Sequence, residues 1–489
     1  MKSIIYRSAT VIHILLTLLY LVWRYSYSLN YDQLIVSVIF LWVDVIMCFS
    51  AIVFVISLWR KPCPLALDES EKPFSIDVFV PTYSESCEML ETTLKHCINM
   101  DYPHQTFLLD DGNRPEMKSL AKTLGAGYFA RENNAGAKAG NLNNALQHTQ
   151  GELIAVLDAD FRPEREFLTR LAAFFNDGKV AVAQSPQHYY NTGSFQHRRI
   201  SKKEIYSDQD TFMHLVLPAR NNWNAAYWIG TNALLRREAI QSIGGFPTDS
   251  VTEDVLASML LHGKGWKTVY VDEPLAYGLA PATVSEYFVQ RLRWGKGAFQ
   301  ILRSHNPLFQ KGLSFMQRLF YFSSVSHFFE GGVRIVYYLF PAFFFLFGIM
   351  PIEPYPPIVA GMLLYFGVTR LLLEVISKKR INFMMDEVYS VIKSFIYLTA
   401  LPAFLFNKNI RFRVTPKDGG TTISIHGLIG PAVIAGLNLA AIAVVITRLS
   451  AMAPMGIFGW IVFIWCLFIG SVAFTACYYC LKPLIKKSK

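Results

Sequence analysis

The stretch ELIAVLDADF (152–161) is an unbroken apolar run that stops on two aspartates, Asp158 and Asp160, one residue apart. A run of that kind suits a strand buried on both faces. In an extended chain alternate side chains point the same way, so both carboxylates of DAD can face one ion. Similar runs lie on either side: SIDVFVPTY (75–83), TFLLDDG (106–112), GYFARENN (127–134) and VAVAQ (180–184), spaced by helix-length polar or amphipathic stretches. Strands alternating with helices predict a mostly parallel sheet covered by helices. Asp110, Asp111, Asp158 and Asp160 then sit at carboxyl ends of strands, where open α/β sheets bind ligands. Acids converging there repel one another unless a cation or donor groups neutralise them. One or two carboxylates plus substrate phosphates is how Mg2+ or Mn2+ is usually held. Taken singly, each Asp also fits a turn or a helix N-cap.

GAKAGN (136–141) lacks P-loop spacing but places Lys138 in a close-packed turn. In VTEDVLASMLLHGKGW (251–266), Thr252 reads as an N-cap with Glu253 and Asp254 in the first turn. The same acids could instead present a general base at a cleft.

Hydrophobic residues make up 52% of the 489 and charged residues only 17%, which points to an integral membrane protein. Long apolar stretches occupy 8–28, 34–58, parts of 333–349 and 356–376, then 426–447 and 456–481. The expected architecture is a polytopic α-helical membrane protein with an inserted cytosolic α/β domain. Residues 1–62 hold two spans, 63–310 the soluble domain, 311–380 two spans, 381–425 an interfacial helix and a loop, and 426–489 two more spans. Asp386, Glu387 and Lys393 are the reason for setting 381–406 apart as interfacial. Lys and Arg cluster beside the spans on the side of both termini and the soluble domain, which places these in the cytosol of a bacterial inner membrane. The net charge of +10 lies mainly at those flanks, so no nucleic-acid partner is expected. Seven scattered cysteines fit reduced thiols, and CYYC (477–480) reads as small buried hydrophobes. His327, Glu330 and Arg334 at the start of the third span mark a candidate polar path.

PTYSE (81–85), DDG (110–112), NNAGAKAGNLNNAL (133–146), DAD (158–160), TED (252–254), QRLRW (290–294) and FRVTPK (412–417) occur in this order. The ordered set resembles the bacterial cellulose synthase catalytic subunit, a processive family 2 glycosyltransferase with a GT-A fold. FRVTPK separates it from hyaluronan- and chitin-type synthases, which use UDP-N-acetylhexosamines. The resemblance implies transfer of a sugar from UDP-glucose to a growing β-glucan, with Asp254 as base and Glu253 and Thr252 beside it. Asp158 and Asp160 would hold Mg2+ or Mn2+. Thr82, Tyr83, Glu85, Asp110, Asp111, Lys138, Asp158, Gln290 and Arg293 would bind the UDP-sugar, joined by Thr415 and Lys417 from a lid loop. Trp294 and Gln290 would meet the glycan acceptor, while Arg291 and Lys296 are expected on a membrane-facing basic edge. The chain has no room after its last span for the cyclic di-GMP-sensing PilZ domain of larger relatives. The partners expected are a UDP-sugar, the growing glycan and the lipid bilayer; export proteins, a homo-oligomer and the linkage are left open. A non-catalytic transporter or regulator is the rival reading, disfavoured by the intact DAD, TED and QRLRW.

Overall fold

The computed structural model describes residues 2–60, 73–191, 194, 207–353, 355–377, 381–406, 425–447 and 456–485. In chain order the strands are β1 (Ile76–Thr82), β2 (Gln105–Asp110), β3 (Gly127–Ala130), β4 (Leu153–Val156), β5 (Arg162–Pro163), β6 (Val180–Gln184), β7 (His188–Tyr189), β8 (Ala233–Arg236), β9 (Lys267–Tyr270) and β10 (Ala276–Gly278). Seven of them form one sheet in the order β3-β2-β1-β4-β8-β6-β9, and β5, β10 and β7 form a small second sheet. In the large sheet every pairing is parallel except those of β8, which runs antiparallel between β4 and β6. The sequence reading foresaw β1 to β4 and β6 but not β8, whose ALLR run is short and sits inside a longer aromatic stretch. β4 is buried along its whole length, as its continuous apolar run requires.

The helices are α1 (Lys2–Tyr27), α2 (Leu34–Ser57), α3 (Cys87–Ile98), α4 (Pro115–Leu124), α5 (Ala137–His148), α6 (Phe167–Ala172), α7 (Leu217–Asn221), α8 (Arg237–Ser242), α9 (Glu253–Gly263), α10 (Val284–Ser304), α11 (Phe315–Ser326), α12 (Glu330–Phe347), α13 (Pro356–Ile376), α14 (Phe383–Phe406), α15 (Ile425–Thr447) and α16 (Gly456–Ile485). Ser86 caps α3 by accepting from the Met89 N–H, and Thr283 with Glu286 forms a capping box that fixes the start of α10. On the side of the sheet away from the strand carboxyl ends, Arg237 closes the structure. Its guanidinium donates to Asp77 Oδ2 at 2.7 Å, to Thr149 Oγ1 at 2.9 Å and to the carbonyls of Leu146 and Gly151.

Among the described residues six stretches are long and apolar enough to cross a membrane: 5–27, 31–57, 315–347, 383–406, 427–447 and 456–481. The third runs through α11 and α12 and so begins earlier than the apolar run at 333 suggested. Length and composition include α14, which its charges had set apart as interfacial. Two of those charges meet partners inside the protein: Glu387 accepts from Arg334 at 3.1 Å and from the Tyr338 hydroxyl at 2.8 Å, and Lys393 reaches Asp208 at 3.9 Å. His327 pairs with Glu330 at 3.1 Å and Arg334 with Glu387 at 3.1 Å, so the polar residues at the head of α12 are joined in pairs, with Glu330 buried and the His327 ring partly exposed. Between α1 and α2, Arg24 and Asp44 form a fully buried pair at 2.8 Å, and the hydroxyl of Tyr337 on α12 also donates to Asp44. Cys480 is buried, with its thiol against the Gly427 carbonyl at 3.7 Å, and Cys477 is partly buried, in keeping with their expected role as small hydrophobes.

Replacing Arg237 with Ala would leave Asp77 buried and uncompensated. We expect a loss of about 3–5 kcal/mol of stability, read as a lowered midpoint in chemical unfolding of the detergent-solubilised protein.

Candidate active site

The carboxyl ends of β1, β2 and β4, the start of α9 and one side of α10 enclose a cavity of about 850 Å³. Thr82, Tyr83, Glu85, Asp111, Lys138, Asp158, Asp160, Thr252, Glu253, Asp254, Gln290, Arg293 and Trp294 all line it. The fold therefore gathers into one space residues that lie more than two hundred positions apart in sequence.

Asp110 and Asp111 are neighbours, but only one can face the cavity. Asp111 does, and a fork from Arg131 holds it with two hydrogen bonds of 2.7 Å. Burial still pushes its carboxyl above the ordinary carboxylate range despite that guanidinium. Asp110 turns inward and is fully buried, contrary to its expected place among the UDP-sugar ligands. It accepts from the N–H groups of Gly112 and Arg114, from the Arg114 side chain and from the Tyr128 hydroxyl, and so secures the turn between β2 and α4. Glu85 performs a similar local task. One of its oxygens accepts from the Thr82 hydroxyl at 2.7 Å and from the Tyr83 N–H at 2.8 Å, leaving the Tyr83 ring exposed at the cavity rim. The sequence reading missed Arg131 and Arg114. Arg131 follows β3 directly, a strand-end position that could have drawn attention to it.

Lys138, from the start of α5, lies among acids. Its Nζ donates to Asp158 Oδ1 at 2.5 Å and to the Gly230 carbonyl at 2.6 Å. Burial alone would lower its pKa, but Asp158, Glu253 and Asp254 together hold it above the ordinary lysine value. Gly230 allows this crowding: its φ is +88°, and a Cβ there would stand 2.9 Å from Asp254 Oδ2. Asp158 and Asp160 supply hard oxygen donors on the wall. Among the described residues no set of three or more His, Cys, Asp or Glu side chains could cage a metal. A pair of carboxylates fits Mg2+ or Mn2+ whose remaining ligands come from substrate phosphates.

At the head of α9, burial first and the neighbouring Glu253 second push Asp254 up to about 7. Burial likewise raises Glu253, against the pull of Lys138. Thr252 occupies the N-cap position, but its side chain makes no cap hydrogen bond. It faces α10 instead: a Cβ on Gly297 would meet Thr252 Oγ1 at 2.4 Å, and the Gln300 amide oxygen accepts from the Val251 N–H at 3.0 Å. The loop bearing the acids is thus docked on the helix bearing QRLRW. Within that motif Gln290, Arg293 and Trp294 face the cavity, while Arg291 is buried and paired with Asp208 at 2.9 Å. The expected basic membrane edge at Arg291 is therefore an internal ion pair, because its helical position points into the contact between α10 and α14. Thr415 and Lys417 lie outside the described residues.

Residues 153–373 match the model for glycosyl transferase family group 2. The cellulose synthase 1 catalytic subunit (UDP-forming) of Komagataeibacter xylinus is 33% identical over 426 residues, which cover 84% of this chain and 56% of that protein. The cellulose synthase catalytic subunit (UDP-forming) of Pseudomonas fluorescens is 33% identical over 434 residues, covering 84% and 57% respectively. The chain thus spans little more than half the length of these relatives. Among solved structures, the mannosyltransferase PcManGT from Pyrobaculum calidifontis, in complex with GDP-Man and Mn2+, superposes with a TM-score of 0.55 at 18% identity. That likeness covers 76% of this chain and all of the other, and it supports the GT-A-like arrangement of the soluble domain.

The raised Asp254 carboxyl has a consequence for stability. Its folded-state pKa of about 7 lies above the ordinary aspartate value of 3.8, so the folded chain holds an extra proton between those values. Stability is therefore surrendered as pH rises from about 4 to about 7. Asp254→Asn, which cannot ionise, should unfold at a higher temperature than the unaltered protein at pH 8. The gain should shrink towards pH 4, as followed by thermal unfolding at both values.

Proposed function

We propose that this chain, which matches glycosyl transferase family group 2 over residues 153–373 and is similar to cellulose synthase catalytic subunits, polymerises glucose from UDP-glucose into a β-glucan, processively and with inversion, and passes the polymer through its membrane half. The observation that carries this reading is the meeting of Asp254 with Arg293, Gln290 and Trp294 in the cavity that also holds Asp158 and Asp160.

Inversion needs one base on the attacking hydroxyl, set opposite the leaving diphosphate. Asp254 has a pKa of about 7, close to the working pH, where a general base combines availability with proton affinity. Glu253 beside it disfavours a second negative charge and so keeps Asp254 basic. Arg293 and Lys138 offer cationic donors to phosphate oxygens. Mg2+ or Mn2+ held by Asp158 and Asp160 would supply Lewis-acid neutralisation of the diphosphate. Tyr83 would stack on the uracil while Asp111, oriented by Arg131, meets its polar edge. Trp294 presents a flat apolar surface for the glycan, with Gln290 at its side. For Thr415 and Lys417 the resemblance alone supports a contact with the nucleotide. The distribution of Lys and Arg along the chain supports a cytosolic site, with the spans leading outwards.

Purified protein supplied with UDP-glucose and Mg2+ or Mn2+ should yield a polymer cleaved by a linkage-specific β-glucanase, and chelation should abolish it. A polymer made only from another UDP-sugar would overturn the glucan assignment. Asp254→Asn should reduce turnover by about 10²–10⁴. In the unaltered protein the rate should rise with pH to about 7 and then level, as Asp254 loses its proton.

A further inference from the structure

Arg291 is enclosed in an arrangement that the proposed chemistry does not require. Its guanidinium lies over the Trp294 ring at 4.1 Å from the centroid and over the Tyr287 ring at 4.6 Å. The two aromatics stand three residues after it and four before it on α10, so all three stack along one side of the helix. Asp208 takes the edge of the plane, accepting from Arg291 Nη2 at 2.9 and 3.0 Å and from Nε at 3.2 Å. The Tyr287 hydroxyl donates to the same carboxylate at 2.7 Å. With its amide oxygen turned towards Arg291, Gln209 accepts from both terminal nitrogens at 2.8 and 2.9 Å. Both Arg291 and Asp208 are buried, and Lys393 of α14 stands 3.9 Å from Asp208.

A buried ion pair seldom adds net stability over an apolar substitute, so its worth lies in the geometry it specifies. Here one face of the Trp294 indole is covered by a cation whose own plane is fixed on two sides, and Trp294 still lines the cavity. We propose that Asp208 is a positioning residue for the glycan acceptor. By holding Arg291 between Tyr287 and Trp294 it sets the plane of the indole, and through it the height and tilt of the terminal sugar over Asp254. The assignment rests on the reading of Trp294 as the acceptor platform. It separates two roles on one helix: Arg293 serves the donor, and Arg291 serves the acceptor through its neighbour.

The discriminating readout is the partition of UDP-glucose between polymer and free glucose, since water can replace a badly held acceptor. Full-length protein in detergent would be assayed with radiolabelled UDP-glucose and Mn2+, with UDP affinity measured by calorimetry. Asp208→Asn should retain UDP affinity, lower the polymer-to-hydrolysis ratio by about tenfold and shorten the product. Tyr287→Phe removes one hydroxyl and keeps the stacked ring, so it decides the matter if Asp208→Asn does not fold. It should shift the ratio in the same direction by less, and that shift should vanish in a Trp294→Phe background. An unchanged ratio and product length in a folded variant overturns the assignment. So does a fall in UDP affinity that parallels the fall in transfer, which is what a merely structural role would give. If the unaltered protein makes no polymer from any UDP-sugar, the proposed function fails first and the role of Asp208 falls with it.

Discussion

One ammonium joins two acidic walls of the cavity. Lys138 stands between the carboxyl end of β4 and the head of α9, donating to Asp158 and raised by the charges of Asp158, Glu253 and Asp254. Without a cation at that point, the sheet could not bring its strand-end acids so close to the acids of α9. The sheet order, the reversed β8 and the turn at Gly230 bring Lys138 and Asp254 together against one glycine, where a Cβ would meet both. Neither carboxylate group is relieved completely, as the raised Glu253 and Asp254 show.

α10 is the second organising element. It presents Gln290, Arg293 and Trp294 to the cavity, and further along it receives the loop of Ser250 to Thr252 against Gly297 and Gln300. Asp254 and Trp294 are thus referred to one helix, which in turn packs along α14. A displacement of α10 would carry both together, which keeps their relation constant while the chain moves against its surroundings.

Much of this was legible in the residues. The apolar runs located β1, β2 and β4, those of β2 and β4 ending in Asp, and Asp111, Asp158 and Asp160 lie around one cavity, because strand polarity dictates that end of a parallel sheet. The ordered motifs supplied Glu253, Asp254, Gln290, Arg293 and Trp294. Three things stayed hidden for physical reasons. Asp110 and Asp111 are adjacent, and only the twist of the turn decides which one faces inward. Arg131 and Asp208 find partners twenty and eighty-three positions away, beyond any local pattern. Arg291 was read from the basic character of its own helix, whereas its surroundings are set by α14 and by the segment around Asp208. Thr252 was placed correctly as the N-cap position, but its side chain is drawn to Gly297.

The buried Arg24–Asp44 pair bears on how the chain sits in its membrane. A lone arginine or aspartate in the middle of a helix costs about 2.5–3.5 kcal/mol on insertion-derived scales. The two residues lie on consecutive helices joined by a short loop, and they meet at 2.8 Å. Each of α1 and α2 carries into its apolar stretch a charge that the other neutralises, so the two helices are cheaper to hold in lipid side by side than apart. Tyr337 of α12 donates to the same carboxylate, so three helices are tied at one buried charge.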